Sequence, residues 1–331
     1  TAVETAIKIA IAYHRAKGDS KRFRFVGRER GYHGMNIGAT TVGGMINNVK
    51  TFASVLMPGV QHMRHTHLPE HKFVKGQPDT GVEMAEDLER IAMNFGGENI
   101  AACIVEPIAG STGTLIPPKG YLKRIREICD KHGILLIFDE VITGWGRTGS
   151  AFASQEFGVT PDMITMAKAT TNGVIPMGVV AVKEEMYDAV LDSSSSNPEG
   201  TPELFHGYTY SGIPAAVAAG LAVQDIFDKE DIFNRAKEMS PYLQDGLHSL
   251  KDLKEVVSIR GYGMMGGIEM RMKEKPGKAG FQTFKHCYDA GVNFKNTGDS
   301  LIIAPQFICE KKHIDEIIDK LRTGISNYSK S

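Results

Sequence analysis

Two apolar runs that each stop at an acid, with a helical stretch between them, constrain this chain most. Ile100 to Val105 runs apolar and ends at Glu106-Pro107; a helical pattern from about Lys119 to His132 is closed by Gly133; Ile134 to Phe138 then runs apolar and ends at Asp139-Glu140. A strand that is apolar at every position must be covered on both faces. Two such strands joined by a helix make a βαβ unit, so the expected fold is α/β: a mostly parallel sheet covered by helices.

The flanking sequence extends this plan. Val3, Ala6, Ile7, Ala10 and Ile11 follow helical spacing up to Gly18, Lys21 to Val26 reads as a strand, and Gly27 to Gly44 reads as a glycine-rich loop. Residues 45 to 80 read as irregular. Met84, Leu88, Ile91, Ala92 and Phe95 define a helix, Met163 to Met166 and Val179 to Val182 short strands, and Glu184 to Leu191 and Pro214 to Phe227 further helices. From about residue 240 the order becomes helix, strand, strand, helix, strand, helix, which implies a smaller C-terminal α+β domain. The expected division is 1–213 for the large domain and 214–331 for the linker helix and small domain. The chain opens on Thr1, already inside a helix without a visible entrance, so the expectation is a fragment of a longer protein; the alternative is a natural or processed terminus.

Composition removes several classes of function. With 38 Lys plus Arg against 39 Asp plus Glu in 331 residues, the net charge is -1, and no global field draws nucleic acid or an anionic membrane. Four scattered cysteines form no CxxC pair, which suggests reduced thiols and a cytoplasmic location. The longest apolar runs fall far short of the roughly 20 residues that cross a bilayer.

In an open α/β sheet, ligands bind beyond the carboxyl ends of the strands. Glu106 and Asp139 stand there, either as functional acids or as solvated or capping ones. Lys168 closes another short apolar strand just before Gly173. A lysine in such a cleft loses its proton readily, as a Schiff-base amine must, although most lysines are solvated surface charges. A pyridoxal phosphate site needs that amine, a carboxylate for the ring nitrogen, an aromatic plate and phosphate donors at a helix start.

The stretches Phe138-Asp-Glu-Val-Ile-Thr-Gly-Trp-Gly-Arg-Thr-Gly149 and Ala167-Lys-Ala-Thr-Thr-Asn-Gly173 resemble the signature of class III, fold-type I pyridoxal-phosphate aminotransferases. The resemblance extends through Arg30-Gly-Tyr-His-Gly34, Val105-Glu-Pro-Ile-Ala-Gly110 and His206-Gly-Tyr-Thr-Tyr-Ser-Gly-Ile-Pro214 to the C-terminal domain, and within the family it is strongest to the ω-amino acid (β-alanine):pyruvate aminotransferases. It implies a cytoplasmic homodimer, possible as a pair of dimers, that binds pyridoxal 5′-phosphate, an amine donor and a keto acid acceptor. Lys168 would form the Schiff base and move the proton, Asp139 would pair with the ring nitrogen, Val141 would pack one ring face and Tyr32 would stack on the other. Glu106 would lie near cofactor and substrate, and Thr209 would reach the phosphate of the neighbouring subunit's cofactor. His33 is expected as a support of the ring pocket or as a satisfied loop histidine, and Arg147 as a structural ion-pair partner.

Two departures qualify the resemblance. The phosphate-cradling Gly-Ser turn of the family would fall just upstream of Thr1. Lys295 stands where close relatives carry an arginine that grips the substrate carboxylate; lysine keeps the charge without the two-pronged geometry, and a solvated Lys295 is the alternative. Other class III chemistry (an aminomutase or a dialkylglycine-type decarboxylase), a nicotinamide-dependent oxidoreductase and an inactive fragment are the rivals. Two motifs are expected to be decoys: Gly261-Tyr-Gly-Met-Met-Gly266, flanked by strand-type residues on both sides, and the His62, His65, His67, His71 group, which lacks metal-site spacing.

Overall fold

The structure, a computed structural model, describes residues 1–330. Ten strands form two sheets. β1 (Arg24–Arg28), β2 (Val60–Met63), β3 (Ile100–Val105), β4 (Leu135–Asp139), β5 (Met163–Met166) and β6 (Val179–Val182) make the larger sheet, in the order β2-β1-β3-β4-β5-β6. All neighbours in it are parallel except β5 and β6, which pair antiparallel.

Alternation along the strands explains the apolar runs. Cys103, Val105, Leu136 and Phe138 point to one face and pack with Leu88 and Ile91 of helix Glu86–Phe95 and with Leu122, Ile125 and Ile128 of helix Tyr121–His132. Ala102, Ile104, Leu135 and Ile137 point to the other, against Val3, Ala6 and Ala10 of helix Ala2–Ala16. Each of these residues of β3 and β4 therefore packs against a helix, and an apolar side chain is required at each of them.

The smaller sheet is antiparallel, in the order β7-β8-β10-β9, with β7 Val256–Tyr262, β8 Met265–Met270, β9 Lys295–Thr297 and β10 Ser300–Ile303. Helices Ile232–His248, Lys278–Asp289 and Lys311–Lys330 supply Leu243, Leu247, Cys287, Ile314, Ile318 and Leu321 to its core. The G-x-G-x-x-G stretch forms the β7–β8 hairpin, which is not the strand-to-helix turn a dinucleotide needs. Its Gly263 has φ +58, and a Cβ there would lie 2.4 Å from the Arg147 carbonyl oxygen.

Three readings of the sequence need correction. Residues 45 to 80 contain β2 and a short helix, Ile46–Thr51. The first strand is Arg24–Arg28 and includes Gly27, assigned to the loop, because the chain passes so close that a Cβ on Gly27 would meet the Val42 carbonyl oxygen at 2.0 Å. The three-residue β9 was missed altogether. Among the described residues no helix is long and apolar enough to cross a membrane, and no His, Cys, Asp or Glu cluster could hold a metal ion. His62 and His71 instead meet the carbonyls of Gly43 and Thr80.

Candidate active site

The carboxyl ends of β1, β3, β4 and β5 converge on a cavity of about 610 Å³. Tyr32 and His33 reach it from the loop after β1, Glu106 from the end of β3, Asp139 and Val141 from the end of β4, and Lys168 from the turn after β5. The first residues of helix Ala2–Ala16 and the segment from Ile175 to Gly178 close the remaining wall. Acids and amine share one cavity because parallel strands all deliver their ends to the same edge of the sheet.

Each acid is held by named donors. Asp139 accepts from His33 Nδ1 at 2.7 Å on Oδ2 and from the Val141 N–H at 3.1 Å on Oδ1. A carboxylate can only accept here, so the imidazole Nδ1 is the donor, while its Nε2 is buried with no hydrogen-bond partner among the described residues. Glu106 accepts from the Tyr32 N–H at 2.8 Å and the Gly110 N–H at 3.0 Å, tying the Tyr32 loop to the end of β3. Burial pushes its carboxyl above the usual carboxylate range; His33 opposes this and the Asp139 charge adds to it. The adjacent Glu140 works differently. It accepts from the Ala153 and Ser154 N–H groups at 2.6 and 2.9 Å, fixing the loop between β4 and β5.

Lys168 is accessible through the cavity, but the surrounding walls still exclude enough water to lower its pKa. Burial is the leading cause. Asp139 and Glu106 pull the value back up, while Lys295 pushes it further down. The residue sits at φ +49, a backbone region that costs an L-residue roughly 1–2 kcal/mol. An accessible amine of reduced basicity can attack a carbonyl carbon and can pass a proton, and the fixed Asp139 carboxylate can face a positive group.

Lys295 belongs to a second cavity of about 630 Å³, which shares Val141, Ile142, Lys168 and Gly173 with the first. Its ammonium lies 5.8 Å from the Tyr32 ring centroid. The rest of this wall is mainly apolar, with Phe227, Met265, Ile302 and Phe307. Arg147 also lines it, and its expected ion pair is corrected by the structure: Nη1 donates to the carbonyls of Met264 and Pro305 at 2.8 and 2.7 Å, and the guanidinium stacks 4.3 Å from the Phe307 ring centroid. Thr209 lines neither cavity and stands exposed on a surface turn. Sequence reasoning gave no role to the Ile175–Gly178 segment, whose only signal was its Ile-Pro-Met-Gly turn chemistry.

The aminotransferase class-III family model matches residues 1–325. The chain belongs to the class-III aminotransferase family. An omega-aminotransferase of Caulobacter vibrioides is 50% identical to this class-III aminotransferase over 322 residues, covering 97% of this chain and 72% of that protein. A beta-alanine–pyruvate aminotransferase of Pseudomonas aeruginosa is 42% identical over 328 residues, covering 98% and 72%. Among solved structures, the omega transaminase from Pseudomonas jessenii in complex with PMP superposes with a TM-score of 0.92 at 27% identity, covering 99% of this chain and 73% of that one.

Proposed function

We propose that this class-III aminotransferase moves the amino group of an ω-amino acid, β-alanine or a similar amine, to pyruvate, giving a semialdehyde and alanine with pyridoxal 5′-phosphate as cofactor. The observation that carries the reading is a shared cavity: the Lys168 amine, the Asp139 carboxylate, the Tyr32 ring and the branched Val141 line one space of about 610 Å³. The identities to an omega-aminotransferase and to a beta-alanine–pyruvate aminotransferase support the donor and the acceptor.

The residues fit the cofactor. Lys168 would hold its aldehyde, Asp139 would face its ring nitrogen, Tyr32 and Val141 would cover its faces, and the N–H groups opening helix Ala2–Ala16 suit its phosphate. When bound, pyridoxal phosphate would supply an electrophilic aldehyde carbon for the substrate nitrogen and an electron sink for the bonds of the neighbouring carbon. Lys168, its basicity lowered by burial, takes a proton from that substrate carbon and returns one. His33 fixes the Asp139 carboxylate, Glu106 fixes the backbone of Tyr32, and Lys295 attracts the substrate carboxylate.

The reading includes a second copy of the chain, to whose cofactor phosphate Thr209 would reach. Support comes from the apolar surface around that turn, where Phe205 and Tyr210 are 78% and 79% exposed and Leu221 of helix Pro214–Lys229 is 59% exposed. It also includes a domain boundary at Pro214, supported by the separate apolar cores of the two sheets, and a cytoplasmic location, supported by four free, buried cysteines.

Two measurements test the proposal. Protein mixed with pyridoxal phosphate and reduced with borohydride should carry the label on Lys168, and β-alanine with pyruvate should yield alanine. A label elsewhere, or carbon dioxide or an isomer in place of alanine, would overturn the reading.

A further inference from the structure

We infer that Trp145 is a positioning residue whose indole N–H braces the tight turn that presents Lys168 to both cavities. The inference rests on the reading of Lys168 as the cofactor-binding amine. Trp145 Nε1 donates to Thr170 Oγ1 at 3.0 Å, and that hydroxyl donates in turn to the Ala167 carbonyl at 3.0 Å. Lys168–Thr170 is a single 3₁₀ turn, closed by the Gly173 N–H on the Lys168 carbonyl at 3.2 Å.

The turn needs a brace because of its backbone. Lys168 occupies the left-handed region at φ +49, Asn172 does the same, and an L-residue stays there only where its surroundings hold it. Helix Pro214–Lys229 backs the turn from one side, where a Cβ on Gly220 would come within 3.5 Å of the Thr170 carbonyl oxygen. The indole holds it from another.

Trp145 is itself well anchored. Its ring lies 5.5 Å from Phe152 and 6.2 Å from Phe227, and Phe227 contacts Phe307 beyond the small sheet at 6.1 Å. Neither Trp145 nor Thr170 lines either cavity, so both act through Lys168. The brace therefore runs from an aromatic cluster at the junction of the two sheets to the reactive amine.

The experiment follows capture of pyridoxal phosphate by the apoprotein through its visible absorption, then fixes the label with borohydride and maps it. Trp145→Phe keeps an aromatic ring and loses the N–H; Thr170→Val keeps the shape and loses the acceptor. Each should slow capture about fivefold, the worth of one neutral hydrogen bond. The double variant should be no slower than either single one, and Thr170→Ser should restore the rate. Trp145 is the only tryptophan of the chain, so its emission should shift to shorter wavelength in Thr170→Val. Wild-type rates in both single variants, an unchanged emission maximum, or slowing that Thr170→Ser fails to rescue would each overturn the inference. A wild-type protein unlabelled at Lys168 removes the underlying reading instead, so the two failures are distinguishable.

Discussion

His33 Nδ1 donates to Asp139 Oδ2 at 2.7 Å, with the two side chains 0% and 3% exposed, and this bond ties the loop after β1 to the last residue of β4. His33→Ala should leave a buried carboxylate one donor short and destabilise the protein by about 1–3 kcal/mol. Urea unfolding with an unchanged slope would measure this. A loss within about 0.5 kcal/mol would place the bond among ordinary surface contacts.

Asp139→Asn removes the charge while keeping the shape. If Asp139 faces the ring nitrogen, the half-reaction with β-alanine should slow by about 10²-fold or more, the size seen when a preorganised electrostatic partner is lost. Stopped-flow absorbance of the cofactor reads the rate directly, and near wild-type turnover would remove the assignment.

The pH dependence of cofactor capture follows from the sign of the Lys168 shift. A lowered pKa means that the neutral, reactive amine accumulates and levels off at lower pH than in a free lysine. Lys295 helps depress the value, so Lys295→Gln should move the profile to higher pH; Glu106 raises it, so Glu106→Gln should move it lower. Capture rates measured against pH in the three proteins decide this, and identical profiles would show that the neighbouring charges do not reach Lys168.

Substrate selection should depend on Lys295. Lys295→Ala is expected to raise KM for pyruvate and β-alanine about tenfold and to leave an amine without a carboxylate unaffected, whereas Lys295→Arg should lower KM by offering a two-pronged grip. Steady-state kinetics with paired substrates test this. Equal changes for both kinds of amine would count against carboxylate recognition.

Arg147→Met should destabilise the junction of the two sheets. The substitution keeps bulk near Phe307 but deletes two charge-assisted bonds to the Met264 and Pro305 carbonyls, for an expected loss of about 2–4 kcal/mol. Calorimetric unfolding would register it, and an unchanged midpoint would show that solvent replaces the guanidinium without penalty.

Much of the large sheet was legible because its strands are covered on both faces, so that Ile100 to Val105 and Ile134 to Phe138 announce themselves as continuous apolar runs. β2 and β9 were not. Val60–Met63 lies at the sheet edge and is mostly half-buried, and Lys295–Thr297 is polar throughout, so neither leaves a periodic signal. The antiparallel direction of β6 was equally hidden, since an apolar run does not encode the direction of its neighbour. At the site, Glu106, Asp139 and Lys168 could be picked out by their places at strand ends.

Local order alone determined the alternation of strands and helices, the acids and the lysine at the strand ends, and the family signature, because these depend on which side chains must leave water over a few consecutive residues. Only the tertiary structure decided that His33 answers Asp139, that Arg147 finds carbonyls instead of an acid, that Lys295 comes beside Tyr32, and that Trp145 holds the Lys168 turn. Those partners are separated by 25 residues in the nearest case, Trp145 and Thr170, and by 263 in the farthest, Tyr32 and Lys295. A hydrogen bond or ion contact across such distances exists only once packing has brought the segments together.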